Sequence, residues 1–420
     1  MAFAKKLTKR EDFKTRYAHL CTIYDSFDDV IDEAIVLYFK NPHSFTGEDV
    51  VEFQTHGSSL IAEIILGEVI KLGGRLANPG EFSKRAFLNE KIDLSQAEAI
   101  SKLIDARSKD AIKLLSKQLK GELRSFVDDI RDKLVEILAF IEVNIDYAEE
   151  DLPKDLGEQI KHKLFEINSL LKQTLTSSKL REGMIEGFKI SIIGKPNVGK
   201  SSILNKLLSY DRAIISDIAG TTRDTIEESL RVGTHLVKIV DTAGIRSASD
   251  EIEKIGIQRS KKSADESEII LAVFDISEDF SDEDKEILSL IQSYKDTKQV
   301  IVVLNKKDKK TDYDKSLFQE FDSIEFSKND PIDTIVEKIK TILDTTNLSD
   351  DMLLTSKRQV GHVEDTYNYI DEAVENLDMD ELELFAYNIN DAIISISSIT
   401  KSFERDEILD KMFGSFCLGK

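Results

Sequence analysis

Gly194-Lys-Pro-Asn-Val-Gly-Lys200-Ser201 has the spacing Gly-x-x-x-x-Gly-Lys-Ser, and those residue types in that order suit the handling of phosphate. The run follows the apolar stretch Lys189-Ile-Ser-Ile-Ile193. It precedes a helix-periodic stretch with Ile203, Leu204, Leu207 and Leu208, which completes the strand, loop and helix context the pattern demands. Glycines let successive backbone N–H groups wrap an anion at a helix start, where the helix dipole adds to the attraction. The expected contacts come from Asn197, Val198, Gly199, Lys200, Ser201 and Ser202, with the Lys200 ammonium on the β- and γ-phosphates and the Ser201 hydroxyl on Mg2+.

Taken alone, such a run could be a chance glycine-rich turn. Two further motifs argue otherwise, because Asp241-Thr242-Ala243-Gly244 ends one later strand-like run and Asn305-Lys306-Lys307-Asp308 ends another, in the order and rough spacing of a GTPase. A carboxylate at Asp308 can accept from both N–H groups of guanine's Watson–Crick edge and repels the matching edge of adenine, so GTP is the expected nucleotide. Ser327-Lys-Asn329, after the strand-like Ile324-Glu-Phe326, stands where a Ser-Ala-Lys base loop is expected. Gly220-Thr221-Thr222-Arg223-Asp224 lies where a switch loop supplies Mg2+ with a second hydroxyl; an ordinary Ser/Thr-rich loop is the plainer alternative. Residue 245 is Ile, where many small GTPases carry a glutamine that orients the attacking water. That work then falls to an arginine from a partner, a cation or a distal carboxylate.

These motifs need a frame. Lys189–Ile193, Leu236–Val240, Ile269–Phe274 and Val300–Leu304 read as apolar strands alternating with helical segments. They predict a doubly wound, mostly parallel sheet between about 187 and 346. Before about residue 94, strand-like Glu33–Phe39 and Val50–Phe53 and a periodic helix over Leu60–Leu72 predict a small α+β domain. From Ser95 onward apolar residues return every three or four positions: Ile100 through Leu115, Ile130 and Leu134 to Ile141, Ile160 to Leu175, Val363 to Val374, and Leu382 to Ile396. That spacing predicts long helices with one apolar stripe each. The economical architecture is α/β plus α: an N-terminal α+β domain over 1–94, a helical domain from 95–182 and 347–420, and a P-loop GTPase domain over 187–346 inserted into it. The acidic runs Glu149–Asp151 and Ser281–Asp284 read as solvated loop or helix-start positions.

Composition narrows the setting. No stretch reaches the roughly 18 uncharged apolar residues of a membrane span, and the two cysteines, Cys21 and Cys417, lie at opposite ends of the chain. Both facts fit the cytoplasm. Lys and Arg total 57 against 79 Asp and Glu, a net charge of −22 that repels polyanions and makes indiscriminate coating of nucleic acid an unsuitable role.

Asn197 in the phosphate loop, Asp217-Ile-Ala-Gly-Thr-Thr-Arg-Asp224, Asp241-Thr-Ala-Gly-Ile-Arg246 running on to Glu253-Lys-Ile-Gly256, and the ending Phe416-Cys-Leu-Gly-Lys420 carry a resemblance. The chain resembles the bacterial and organellar tRNA-modification GTPases of the MnmE (TrmE) family. Ser44-Phe-Thr-Gly-Glu-Asp49, Pro79-Gly-Glu-Phe-Ser83 and Arg85-Ala-Phe-Leu-Asn89 match that family's N-terminal signature, so the likeness covers essentially all 420 residues.

The resemblance implies a homodimer that works in a heterotetramer with the flavoprotein MnmG, which brings FAD. Such enzymes place an aminomethyl-type (carboxymethylaminomethyl) group on C5 of the wobble uridine of certain tRNAs, drawing one carbon from a 5-formyl- or methylene-tetrahydrofolate. It implies GTP hydrolysis stimulated by K+ in place of an arginine finger. The K+ is held by the Asn197 side chain, the Ser216 and Ile218 carbonyls and the Thr221 hydroxyl. Thr222 joins Ser201 on Mg2+, and Asp217, Ala219 and Gly220 complete the switch contacts to GTP. Glu253 matches the carboxylate that orients the attacking water through a second water; its plain reading is an exposed glutamate. Glu52, Lys91 and Lys420 match the folate pocket, and Cys417 matches a cysteine needed for tRNA modification, where the plain reading is a small buried hydrophobe. Family members usually begin with a glycine-rich Ile-x-x-x-Arg-Ile-Ser-Gly segment that gives the folate pocket an arginine. This sequence starts downstream of it, which predicts an affected folate site beside an intact GTPase. A GTP-dependent assembly switch of the ribosome-biogenesis type is the competing reading, lowered because no Gly-x-x-Gly clamp of a KH module is evident.

Overall fold

The computed structural model describes residues 1–106, 108–146, 154–180, 182–211, 228–240, 260–309, 314–345, 352–378, 381–401, 412–414 and 416. The chain divides into two compact units. One comprises Met1–Ile104, Ser116–Asn168 and Gly361–Lys420, the other Asp105–Leu115 and Ser169–Val360. Residues of the expected helical domain fall in both.

The first unit opens with α1 (Ala2–Thr8), β1 (His19–Tyr24), β2 (Val30–Phe39), β3 (Val50–Gln54), α2 (Ser59–Lys71), α3 (Glu81–Leu88) and α4 (Leu94–Asp105). The strands form an antiparallel sheet in the order β1-β2-β3. Alternation along β2 turns Ala34 and Val36 inward, and Leu7, Ile23, Ala34 and Ile65 close a small core over which α2 lies. Then come α5 (Lys109–Leu119), whose residues as far as Leu115 belong to the second unit, α6 (Glu122–Asp146), and α7 (Lys154–Leu180), whose residues from Ser169 also belong to the second unit. On α6, Leu123, Val127, Ile130, Leu134, Ile137 and Ile141 recur at steps of four and three and are buried. Further along the chain α12 (Lys357–Asp378) and α13 (Leu382–Ser397) supply matching stripes, and α13 packs along α6 through Phe385, Ile389, Ala392 and Ile396. Each fully buried Leu, Ile, Val or Phe on these faces contributes about 1.5–3 kcal/mol relative to leaving it exposed.

The second unit is built on α8 (Glu182–Glu186), β4 (Phe188–Ile193), α9 (Lys200–Asp211), β5 (Glu228–Val232), β6 (His235–Ile239), β7 (Ile269–Asp275), α10 (Asp282–Tyr294), β8 (Gln299–Asn305), β9 (Asp322–Glu325) and α11 (Asp333–Thr345). Its six strands run β5-β6-β4-β7-β8-β9, all pairs parallel except the β5–β6 hairpin. β7 is buried along its whole length and feeds two cores by alternation. Ile269, Leu271 and Val273 face α9 and α11, whereas Ile270, Ala272 and Phe274 face α10. The expected doubly wound sheet is therefore present, with an antiparallel edge that the apolar runs did not announce. The start of α5 is tied to this unit: Thr234 donates to Asp110 at 2.7 Å, and the buried His235 lies 3.2 Å from Asp110 and 2.9 Å from Asp344.

In the first unit Arg85 joins the three signature runs, because it reaches both Glu48 and Glu81. Glu81 accepts from Arg75 at 2.7 and 2.8 Å, from the Asn78 backbone at 2.8 Å and from Arg85 at 2.8 Å, while Arg85 also reaches Glu48 at 2.8 Å. The Arg75 bonds first, then the Asn78 amide, hold the Glu81 carboxyl down at about 2. A depressed carboxyl contributes stability that is complete above about 4.5 and is lost as pH falls toward 2. Glu81→Gln is expected to lower the melting temperature at pH 7 and to narrow its gap from the wild type as pH falls below 4.5, read by circular dichroism. A gap that stays constant with pH would remove Glu81 from this role.

Candidate nucleotide site

β4, β7 and β8 are parallel neighbours, so their C-terminal ends, carrying Gly194, Asp275 and Asn305, open on one edge of the sheet. Loops at that edge are where open α/β sheets take their ligands. The loop from Gly194 to Gly199 has no room for side chains at its two glycines. Gly194 has φ 150°, and a Cβ there would lie 2.4 Å from the Val273 carbonyl oxygen. Gly199 has φ 104°, and its Cβ would lie 2.2 Å from the Asn305 side-chain nitrogen. Asn197 also takes a left-handed conformation, φ 61°, at an exposed position between them.

Lys200 opens α9 and turns back over the loop, its Nζ donating to the Gly194 and Lys195 carbonyls at 2.7 Å each. Burial pushes its ammonium down to about 8, with the Glu283 carboxylate pulling the other way. Below that value it carries the positive charge a polyphosphate requires. Ser201 and Ser202 follow in the first turn of α9.

The base motif is locked to this loop. Asn305 is 6% exposed, and its side-chain NH2 donates to the carbonyl of Val198 at 2.7 Å. Its Oδ1 is buried with no hydrogen-bond partner among the described residues, an acceptor left over at the mouth of the cradle. Lys306 has φ 65°, and its ammonium pairs with the buried carboxylate of Asp275. Burial opposes the charge on Asp275, but Lys306 and both the amide and hydroxyl of Ser277 hold the carboxyl below its ordinary value. The Lys307 amide donates to Phe326 O at 3.2 Å, which brings the Ser327–Asn329 turn beside the motif. Ser327 is buried and accepts from the Asn329 amide at 3.3 Å; Lys307 lies 3.0 Å from Asp330, whose carboxyl it holds low. Asp308 is exposed.

Glycines with no room for a side chain and a half-buried lysine fit a polyphosphate, and the orphaned Asn305 amide oxygen can accept from an N–H donor, so the set suits a nucleoside triphosphate. Ser201 brings the hard oxygen donor that Mg2+ prefers. The exposed Asn197 offers an amide oxygen, a donor K+ accepts. Ser216, Asp217, Ile218, Ala219, Gly220, Thr221, Thr222, Asp241, Thr242, Ala243, Gly244 and Glu253 lie outside the described residues, as do Cys417 and Lys420.

Of the folate positions, Glu52 is exposed on β3 opposite Leu37, and Lys91 is exposed with its stem over Gly47, where a Cβ would meet Lys91 Cε at 2.8 Å. Asn89 donates to Thr46 O at 2.8 Å, so Lys91, the Ser44–Asp49 loop and α3 form one surface. A Cβ on Gly80 would strike the Phe413 carbonyl at 2.3 Å, which places the C-terminal segment against the Pro79–Ser83 run.

Sequence reading missed Asp275 and Asp284. Ser281–Asp284 is a helix start as expected, but Asp284 is not solvated: it is 1% exposed and pairs with Lys195 at 2.8 Å. The Ser-x-x-Asp spacing of a capping box was the available signal. For Asp275, the signal was a charge closing a fully apolar strand at the ligand edge.

The strand, glycine loop and helix, with Asn305 locked against the loop, define a P-loop nucleotide-binding domain. The family model described as the MnmE helical domain matches residues 94–417, and that of the GTP-binding protein TrmE N-terminus matches residues 1–91. The tRNA modification GTPase MnmE of Aliarcobacter butzleri is 59% identical over 420 residues, 100% of this chain and 94% of that protein. The protein of the same name from Sulfurimonas denitrificans is 56% identical, with the same coverage. Among solved structures, Era in complex with MgGDPNP and a segment of 16S ribosomal RNA aligns at 27% identity over 43% of this chain and 66% of that one; its TM-score of 0.28 carries no weight for the fold. The chain belongs to the MnmE family of tRNA modification GTPases.

Gly199→Ala is expected to weaken binding of fluorescent GDP about a hundredfold, since the new Cβ collides with Asn305 in a backbone conformation that disfavours it. Gly157→Ala, in open space on α7, serves as the control with unchanged affinity.

Proposed function

We propose that this chain binds and hydrolyses GTP to drive modification of the wobble uridine of tRNA. The observation that carries the reading is the Asn305–Val198 hydrogen bond, which joins a guanine-type motif to a phosphate-type loop in one rigid site. In this reading Asp308 selects guanine. Lys200 carries positive charge to the β–γ bridge, and the carbonyls of Gly194 and Lys195 set where it points. Ser201 and Thr222 would hold Mg2+, which would supply charge neutralisation to the phosphates. K+, held by Asn197, Ser216, Ile218 and Thr221, supplies the positive charge that an arginine finger supplies elsewhere, and Glu253 orients the attacking water. Val198, Gly199, Ser202, the Asp217–Gly220 and Asp241–Gly244 loops, Asn305, Lys306, Lys307 and Ser327 complete the nucleotide contacts.

The rest of the reading follows family membership. The chain acts as a cytoplasmic homodimer whose two GTPase domains, each inserted between the halves of a helical domain, meet across the nucleotides. With the flavoprotein MnmG, which brings FAD, it installs an aminomethyl-type group on C5 of uridine. Glu52, Lys91 and Lys420 hold the tetrahydrofolate that supplies the carbon, and Cys417 takes part in the modification. In this reading the flavoprotein makes much of the tRNA contact, a division that the net charge of −22 on this chain supports. No helix among the described residues is long and apolar enough to cross a membrane.

GTP turnover measured in KCl and in NaCl at equal ionic strength is expected to differ at least about tenfold in favour of KCl, and Glu253→Ala to abolish it. Equal rates in the two salts would sink the K+ assignment. Equilibrium dialysis with 5-formyltetrahydrofolate tests the second site: Lys91→Ala should weaken binding about tenfold, the loss of one charge-assisted contact. Undiminished binding would take Lys91 out of it.

A further inference from the structure

The second residue of the phosphate loop, Lys195, does not face solvent. Its side chain is 9% exposed and its Nζ lies 2.8 Å from Asp284 Oδ2, 3.4 Å from Ser281 Oγ and 3.8 Å from Glu278. Asp284 is itself 1% exposed, and the same Oδ2 accepts from the Ser281 amide at 3.0 Å and the Ser281 hydroxyl at 2.8 Å. The Asp284 amide donates back to Ser281 Oγ at 3.3 Å, which closes a reciprocal cap on α10. α10 is in turn held to the sheet by Ile287 and Ile291 in the core with Phe274 and Phe318. One buried carboxylate thus serves two structures at once, the start of a packed helix and the side chain of a loop residue whose carbonyl receives Lys200.

We infer that Asp284 is a positioning residue for nucleotide binding: through Lys195 it fixes the loop carbonyls that hold Lys200, and so the shape in which the loop meets phosphate. The geometry makes the link short. Lys195 is anchored at both ends, its ammonium on Asp284 and its carbonyl on the Lys200 ammonium at 2.7 Å. A loop whose N–H groups must converge on an anion cannot tolerate drift of its second residue, because misplacement by about 1 Å costs up to about a hundredfold. The Asp284 carboxylate, 1% exposed, holds the Lys195 ammonium beside it, because a charge at that depth is costly to leave without its counter-ion. Asp284 touches no phosphate in this account and acts only through Lys195.

The inference rests on Gly194–Ser201 being the phosphate loop, and the test separates the two. The full chain and its Lys195→Met, Lys195→Arg, Asp284→Asn and Lys195→Met/Asp284→Asn variants are titrated with fluorescent GDP and with a non-hydrolysable GTP analogue. Site concentration and affinity are fitted separately. Lys195→Met leaves the helix cap intact, so it remains informative if Asp284→Asn folds poorly. The expected result is an affinity loss of about tenfold or more for both nucleotides in Lys195→Met, with a full complement of sites. Lys195→Arg should recover most of the loss, and the double variant should bind no more weakly than the worse single one. A merely structural contact would reduce the number of competent sites and leave the affinity of the remainder unchanged, which would overturn the proposal. So would additive losses in the double variant. A wild-type chain that binds neither nucleotide would instead remove the phosphate-loop reading itself.

Discussion

The hydrogen bond from the Asn305 amide to the Val198 carbonyl is the constraint on which the nucleotide site depends. It crosses from the end of one strand to the loop that follows another, so it forms only when β4, β7 and β8 are in register, with Ile193 beside Ala272 and Asp275 beside Asn305. The requirement for glycine at 199 follows from it: the amide occupies the volume a side chain would need. Sheet register, loop sequence and ligand geometry are one condition expressed at three scales. The parallel strands supply the rigidity because both their faces are covered, by α9 and α11 on one side and α10 on the other.

Much of this was legible in the residues. The four apolar runs and the glycine-lysine-serine spacing located the second unit's strands and its loop, because continuous burial and a forced backbone shape leave strong marks on sequence. The edge strand β5 left a weaker mark: Leu230 and Val232 are buried, but the charged Arg231 between them interrupts the apolar pattern, and its antiparallel pairing with β6 has no signal in the apolar runs. β1 was missed for a similar reason. Its inward residues are His19, Cys21 and Ile23 and its outward ones Leu20, Thr22 and Tyr24, so a polar inward residue and an apolar outward one, Leu20 at 64% exposed, blur the alternation that marks a strand. Spacing marks Asp284 as a helix cap and Asp275 as a charge closing an apolar strand, but not their ion pairs, because a carboxylate looks the same in sequence whether it faces water or a buried lysine. Only the fold reveals which lysine it meets.

The three carboxylates that organise loops here share a logic. Glu81 gathers Arg75, Arg85 and the Asn78 turn; Asp275 holds Lys306 and the Ser277 turn; Asp284 holds Lys195 and the Ser281 cap. Each combines a cation with a backbone N–H from its own neighbourhood. A buried charge needs more than its counter-ion, and the backbone donors satisfy the remaining lone pairs that would otherwise make burial unfavourable. In each case one cation, Arg75, Lys306 or Lys195, lies in a segment between regular elements, while Arg85 reaches Glu81 from within α3.

That arrangement also settles an electrostatic difficulty. A chain with 22 more negative than positive side chains repels a nucleotide carrying several negative charges of its own. Long-range repulsion between solvated charges is screened within about 8 Å at physiological salt, so what counts at the loop is the charge within that distance. Lys195 and Lys306 are neutralised pairwise by Asp284 and Asp275, and those pairs contribute shape with little net field. Lys200 is bonded to carbonyl oxygens rather than to a carboxylate, so its charge is uncompensated by any direct ion pair in its hydrogen bonds. Burial heightens its effect, since a lower local dielectric strengthens attraction to an arriving phosphate. An acidic surface can therefore coexist with a local positive charge at the loop, because Lys195 and Lys306 are paired with carboxylates whereas Lys200 is held by carbonyl oxygens.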